Sequence, residues 1–126
     1  MNIALWLVQG LLAVAFGMAG AMKLTTPMPE LMQMGLGGWL NDFPEILVRF
    51  IGLSEVLGAL GLVLPGATKI RPGLTVAAAA GLAVVMVLAA GVHGVYGELG
   101  ATPPNVVLGA LAGFVAWGRM VKAPLG

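Results

Sequence analysis

The sequence predicts an all-α integral membrane protein that folds as a four-helix bundle. Of its 126 residues, 60% are hydrophobic and only 9% are charged, and the mean hydropathy is +1.02. Four continuously apolar segments approach the roughly 20 residues that a helix needs to cross a bilayer: residues 3–22, 46–64, 73–92 and 106–121. Continuous rather than alternating apolarity argues against membrane β-strands. We therefore expect one transmembrane domain over residues 1–126.

The first span, residues 3–22, is expected to stay in the protein rather than to be removed as a signal peptide. Ala19-Gly20-Ala21 offers small residues after an apolar stretch, but no basic residue precedes that stretch. An apolar run of about 20 residues is also longer than the core of a typical signal peptide.

The connection after the first span, residues 24–44, is the longest between spans. It contains PELMQMG over residues 29–35, which is too short to cross a bilayer. We expect a short interfacial helix or loop here. Met28, Met32 and Met34 suit either anchoring in the interface or a flexible lid.

Proline-containing turns set the expected limits of the remaining spans. They are Pro65-Gly66 at the end of the second span, Arg71-Pro72-Gly73 at the start of the third, and Thr102-Pro103-Pro104-Asn105 before the fourth. Proline lacks a backbone N–H and disfavours helix at the preceding residue, so it commonly marks such boundaries.

Small residues predict how the spans pack. Lipid tails give helices no hydrophobic reason to associate, so close contact through Gly and Ala supplies the attraction. The expected ridges are Ala13, Gly17 and Ala21 on the first span, Ser54, Gly58 and Gly61 on the second, and Gly109 and Gly113 on the fourth. Packing inside one bundle is the main interpretation, and packing between subunits of a homo-oligomer is the alternative.

The positions of the basic residues predict the orientation in the membrane. Lys69 and Arg71 lie between the second and third spans, and Arg119 and Lys122 lie near the C-terminus, with no acidic residue close to them in sequence. By the positive-inside rule, this turn and both termini face the cytoplasm.

The residue types present exclude several kinds of chemistry. The chain has no cysteine and a single histidine, His93, so it cannot form a disulfide, a Cys-ligated cluster or a bis-histidine haem site. We expect no metal site and no covalent cofactor. A redox role would need a diffusible cofactor such as a quinone, or a partner protein. The absence of a basic run also argues against nucleic-acid binding.

Glu55 is the most informative residue because it interrupts the second span. An ionised carboxylate at that depth costs at least about a few kcal/mol unless it is paired or reaches water. Glu55 lies about 13 Å along the helix from the start of its span. Lys23 ends the first span at the same side of the membrane, as do His93 at the end of the third and Asn105 at the start of the fourth. These four residues predict a ligand-binding site in the outer leaflet.

Each residue of this group also has a simpler interpretation. Lys23 can extend to the interface or form a buried structural ion pair with Glu55. His93 and Asn105 can stabilise the helix ends at which they lie. Outside the group, Arg49 suits an ion pair with Glu45, four residues earlier.

The same residues carry a resemblance to the DoxX-like family of small four-span membrane proteins. It rests on FGMAGAMKL over residues 16–24, on FIGLSEVLGALGLVLP over residues 50–65, on the histidine that ends the third span, and on Asn105. The resemblance covers nearly the whole chain. It implies a protein of the bacterial inner (cytoplasmic) membrane. For some members it implies a small subunit of quinone-linked sulfur oxidoreductases or a place in membrane oxidative-stress complexes.

These observations favour a membrane protein that binds a lipophilic, quinone-like molecule and serves as an accessory subunit of a redox complex. The chain is not expected to be catalytic alone, since a partner must deliver the electrons, while Glu55 or His93 would exchange the protons. A structural scaffold, whose polar cluster only locks the bundle, is the alternative. Transport of a small solute or of protons is less favoured, because four spans without an internal repeat offer little to move about a central site.

Overall fold

The computed structural model describes residues 1–34, 38–98, 100 and 102–125, apart from the side chains of Trp39 and Thr102. Four helices are long and apolar enough to cross a membrane, and the described residues contain no strand. The helices are α1 (Asn2–Thr25), α2 (Met28–Met32), α3 (Glu45–Thr68), α4 (Leu74–Val95) and α5 (Thr102–Trp117), with a 3₁₀ turn at Gly38–Asn41 and a π-helical turn at Gly118–Lys122. The predicted all-α four-helix bundle is confirmed.

The four long helices form a closed ring in which α1 packs on α3, α3 on α4, α4 on α5, and α5 on α1. Neighbours run antiparallel, because Gly20 near the end of α1 meets Gly52 near the start of α3, whereas Trp6 meets Gly66. One end of the bundle, here called the terminal end, therefore carries both termini and the α3–α4 turn. The opposite end, called the loop end, carries α2, the 3₁₀ turn and the α4–α5 turn.

A narrow stripe of each helix faces the bundle interior. On α1 the buried positions are Leu5, Gln9, Leu12, Phe16 and Gly20, which recur every three or four residues as one helical face requires. Large apolar side chains on the other faces are exposed, among them Ile3, Leu7 and Leu11. A helix that is apolar on its outer faces as well suits a lipid environment.

The closest approach of α1 and α3 occurs at two glycines. A Cβ atom added to Gly20 would lie 2.6 Å from the Gly52 carbonyl oxygen, and one added to Gly52 would lie 2.8 Å from the Gly20 carbonyl oxygen. The expected ridge through Gly17 is instead an ordinary contact, 3.8 Å from a Cβ at that position to the Ala59 Cβ. The contact face on α1 thus runs through Gly20 rather than through Ala21, which is exposed.

The predicted glycine ridge on α5 is only half present. A Cβ atom on Gly109 would lie 3.1 Å from the Met86 Cβ, but one on Gly113 would meet nothing within 4 Å. The expectation that Gly113 packs against a neighbouring helix is therefore wrong. Each step of four residues turns about 40° around the helix axis, which is enough to move Gly113 off the contact face.

Helix α3 does not end at Pro65, contrary to the sequence-based expectation, but continues to Thr68. A proline inside a helix removes the N–H that would bond the carbonyl four residues earlier, which here is that of Gly61. The Thr75 hydroxyl donates to the Gly61 carbonyl oxygen at 3.0 Å, and the Gln9 side-chain amide donates to the next carbonyl, that of Leu62. Neighbouring helices thus supply donors beside the proline, which is how membrane helices tolerate it.

Arg119 is buried at the terminal end, which the sequence did not indicate. Its Nε donates to Gln9 Oε1 at 2.7 Å, and its Nη1 donates to Asn2 Oδ1 at 2.6 Å. The guanidinium carbon also lies 5.3 Å from the centre of the Trp6 ring. Arg119 therefore ties the π-helical turn after α5 to the first three turns of α1.

Candidate functional site

A cavity of about 530 Å³ opens at the loop end of the bundle. Its lining includes one polar residue from each long helix: Lys23, Glu55, His93 and Asn105. Apart from Ser54, the remaining lining is apolar: Phe43, Leu47, Phe50, Ile51, Val85, Met86, Leu88, Ala89 and Val92. The four residues selected from the sequence thus line one cavity, although their role as ligand-binding residues remains a prediction.

Lys23 and Glu55 form an ion pair at this cavity. Lys23 Nζ donates to Glu55 Oε1 at 2.7 Å, and the side chains are 15% and 2% exposed. The Gly20–Gly52 crossing brings the two helix backbones together one turn away, so the lysine reaches the acid across a short gap. The expectation that Lys23 reaches Glu55 is confirmed. An ion pair this deeply buried gains little net stability, because desolvation of both charges offsets their attraction.

Arg49 fixes the end of α1 from which Lys23 extends. Its Nη1 donates to the carbonyl oxygens of Lys23 and Thr26, at 2.8 and 2.6 Å. The expected pair with Glu45 is present but long, at 3.9 Å from Nε to Oε2. A cation at a helix C-terminus is favourable for the unpaired carbonyls there. Sequence reasoning missed this contact because nothing local relates Arg49 to α1.

Glu98 links His93, near the end of α4, to the 3₁₀ turn that begins at Gly38. The His93 Nδ1 lies 3.1 Å from Glu98 Oε1, and the second carboxylate oxygen accepts the backbone N–H of Gly38 at 2.8 Å. The hydrogen bond from Gly38 and, after it, the one with His93 hold the pKa of Glu98 below its ordinary value. Glu98 therefore links His93 to the first residue of the 3₁₀ turn.

A further hydrogen bond joins Asp42, the residue after the 3₁₀ turn, to the end of α4. The Tyr96 hydroxyl donates to Asp42 Oδ2 at 2.6 Å. Because the neutral phenol is the donor, this bond is the main reason that the pKa of Tyr96 is raised above its ordinary value. Tyr96 and Glu98 together fasten the 3₁₀ turn and the residue after it beside the cavity.

Asn105 does not occupy the N-cap position of its helix, contrary to one of the expectations. Helix α5 begins at Thr102, so Asn105 lies in the first turn, and Pro103 and Pro104 occupy early positions where no backbone donor is needed. The amide side chain is half-buried. Through this side chain α5, the fourth long helix, also forms part of the cavity wall.

The arrangement brings polar groups together in the wall of a largely apolar cavity. Lys23 carries donors, Glu55 carries acceptors, and His93 can act as either. Within the part of the chain that the structure describes, no group of three or more His, Asp or Glu residues is placed to hold a metal ion. The geometry suits a molecule with a compact polar head and apolar remainder.

Comparison with known proteins gives one positive result. No curated protein and no solved structure matches the chain significantly. A family model, described as the DoxX-like family, matches residues 7–115. That range contains all four polar residues of the cavity and most of each long helix. Because the match covers far more than half of the sequence, the chain is a multi-pass membrane protein that belongs to the DoxX-like family.

Proposed function

We propose that this protein binds the polar head of a quinone-like lipophilic molecule and acts as an accessory subunit of a membrane redox complex. The observation that carries the proposal is the Lys23–Glu55 ion pair, 2.7 Å long, in the wall of an otherwise largely apolar cavity. Its setting would be the bacterial inner membrane, with both termini in the cytoplasm and the cavity toward the outer leaflet.

Quinone chemistry matches the polar groups of the cavity wall. A quinone accepts hydrogen bonds at two carbonyl oxygens, which Lys23 and the Asn105 amide can donate. Reduction to the quinol takes up two electrons and two protons, so it needs both an electron donor and proton donors. Besides Lys23, the cavity wall carries two titratable groups, Glu55 and His93, which would exchange the protons, whereas the electrons would come from a redox partner protein.

A structural role of the ion pair is the second candidate, and the α1–α3 crossing favours it. A Cβ atom on Gly52 would lie 2.8 Å from the Lys23 Cβ, so the charged pair lies beside the close crossing of α1 and α3. In this case the pair would set which faces of α1 and α3 meet, and no ligand would be required.

Ligand analysis separates the two candidates. The protein is purified from its own membrane into lipid nanodiscs, bound lipids are identified by native mass spectrometry, and binding of a decyl-benzoquinone is measured. Glu55→Gln keeps the side-chain shape and removes the charge. We expect it to weaken quinone binding about tenfold or more, because Lys23, the proposed donor to the quinone, loses the charged partner that positions it, and hydrogen bonds to charged groups contribute about 1.5–3 kcal/mol.

Thr68→Val is the control. It removes an exposed hydroxyl at the terminal end that bonds only within its own helix, away from the cavity, and is expected to leave quinone binding unchanged. A wild-type protein that carries no lipophile and binds no quinone would overturn the proposal. So would a Glu55→Gln variant that is stable and binds as well as the wild type.

A further inference from the structure

A second cavity, of about 500 Å³, lies between α3 and α4. It is almost entirely apolar, and its lining is Ser54, Leu57, Gly58, Gly61, Leu74, Ala77, Ala78, Gly81, Leu82 and Val85. Ser54 and Val85 line the first cavity as well. The two cavities are therefore neighbours that share a wall, and the apolar one, here called the α3–α4 groove, extends from the polar site toward the terminal end.

Small residues create this groove. A Cβ atom on Gly61 would lie 2.7 Å from the Ala78 Cβ, and one on Gly58 would lie 2.7 Å from the Leu82 side chain. The two helices thus touch through Gly61 and Gly58, which form the floor. Gly81 has nothing within 4 Å of its Cβ position, so the outer side of the groove is open to the lipid.

The dimensions of the groove favour a single hydrocarbon chain. From Val85 to Leu74 it follows α4 for about 16 Å, and from Ser54 to Gly61 it follows α3 for about 10 Å. A volume of about 500 Å³ divided by the longer distance, about 16 Å, gives a mean cross-section of about 30 Å². A helix 10 Å across has a cross-section of about 80 Å², so an extended alkyl chain fits the groove more closely than a helix of a second copy of this chain does.

We infer that the α3–α4 groove binds the apolar chain of the same molecule whose polar head occupies the Lys23–Glu55 cavity. This inference rests on the proposed function and makes it more specific. The ligand is an amphipathic lipid with a long linear alkyl or isoprenoid chain, not a compact ring compound. Because the groove opens to the bilayer, such a molecule can enter sideways between α3 and α4 without leaving the membrane.

The test compares two probes on three proteins in nanodiscs of the same lipid. The probes are a benzoquinone that carries a decyl chain and the same ring without the chain. The proteins are the wild type, Gly81→Leu and Gly91→Leu. Both substitutions add the same side chain at an open position of α4, but only residue 81 lines the groove. The measured quantity is the ratio of the two affinities.

We expect the wild type and Gly91→Leu to prefer the decyl compound, and Gly81→Leu to lose that preference by about tenfold because its new side chain fills the groove. If both probes bind and Gly81→Leu keeps the wild-type ratio, the groove inference is wrong while the proposed function stands. If neither probe binds the wild type, the proposed function fails and this inference with it. A Gly81→Leu variant that keeps the ratio and loses a crosslinked dimer would identify the groove as an interface between copies.

Discussion

At the residue scale, the Lys23–Glu55 pair is held by its surroundings more than by its own attraction. Arg49 fixes the α1 carbonyls beside Lys23, and the Gly20–Gly52 crossing brings the two backbones together. A pair placed in this way is costly to break from one side, because the remaining charge stays buried. Its removal from both sides is a different perturbation, since no charge is then left without a partner.

We therefore predict strong coupling between the two residues. Lys23→Met should destabilise the protein by about 3–5 kcal/mol because it leaves Glu55 unpaired. The double variant with Glu55→Gln should recover much of that loss. The double-mutant cycle on the free energy of unfolding in detergent measures the coupling. Additive single effects would contradict the prediction, because they would show that the ion pair contributes no coupling free energy.

Glu98 gives a pH dependence at the loop end. Its folded-state pKa lies below the ordinary value of 4.5, chiefly because of the Gly38 N–H. A lowered pKa means that the fold favours the carboxylate, so the contribution is complete above pH 4.5 and is lost as the pH falls through the folded-state value. We predict that protection of the Gly38 amide from hydrogen exchange decreases below pH 4.5.

The control for that prediction is Glu98→Gln, which cannot ionise. It should show weaker protection of the Gly38 amide at neutral pH and no further change on acidification. If acid opens the Gly38 turn equally in this variant, another group is responsible for the pH dependence.

At the element scale, glycines have different roles that depend on the face they occupy. Gly52 lies at the α1–α3 crossing, whereas Gly113 faces open space. Gly52→Ala should destabilise the bundle by about 1–3 kcal/mol through overpacking. Gly113→Ala should be neutral or stabilising by about 0.5–1 kcal/mol, because alanine favours a helix more than glycine does. Melting temperatures in one detergent measure both, and equal effects would show that the helices do not cross at Gly52.

Sequence reasoning predicted the elements better than the contacts between them. Apolar length alone located the four spans, because a bilayer imposes one element type and nearly one length. The cavity residues were also found from sequence, since a carboxylate within a span is rare enough to stand out. The end of α3 was missed because the donor that compensates for Pro65 is Thr75, on another helix. The rotation of α1 about its axis decides that Gly20, and not Ala21, faces α3. That rotation is set by packing between helices, which local sequence patterns do not reveal.

At the scale of the whole molecule, charge is separated between the two ends. The acidic residues all lie in α2, α3 or the loop-end connections: Glu30, Asp42, Glu45, Glu55 and Glu98. The terminal end carries Lys69, Arg71, Arg119 and Lys122, with no acidic residue near them. Lys23 and Arg49 also lie at the loop end, so within the part of the chain that the structure describes the terminal end is basic and the loop end is acidic in net charge.

This separation predicts the orientation in the membrane. Segments rich in lysine and arginine are retained on the cytoplasmic side during insertion, so the terminal end should face the cytoplasm and the Lys23–Glu55 cavity the opposite side. Alkaline phosphatase, which is active only after export, tests this directly. A fusion after residue 126 should be inactive, and one inserted within residues 101–104 should be active. The reverse activities would place the cavity in the cytoplasmic leaflet, where a partner would have to reach it from inside the cell. As a further check, replacing Lys69 and Arg71 by Gln should weaken the bias and give mixed activity from both fusions.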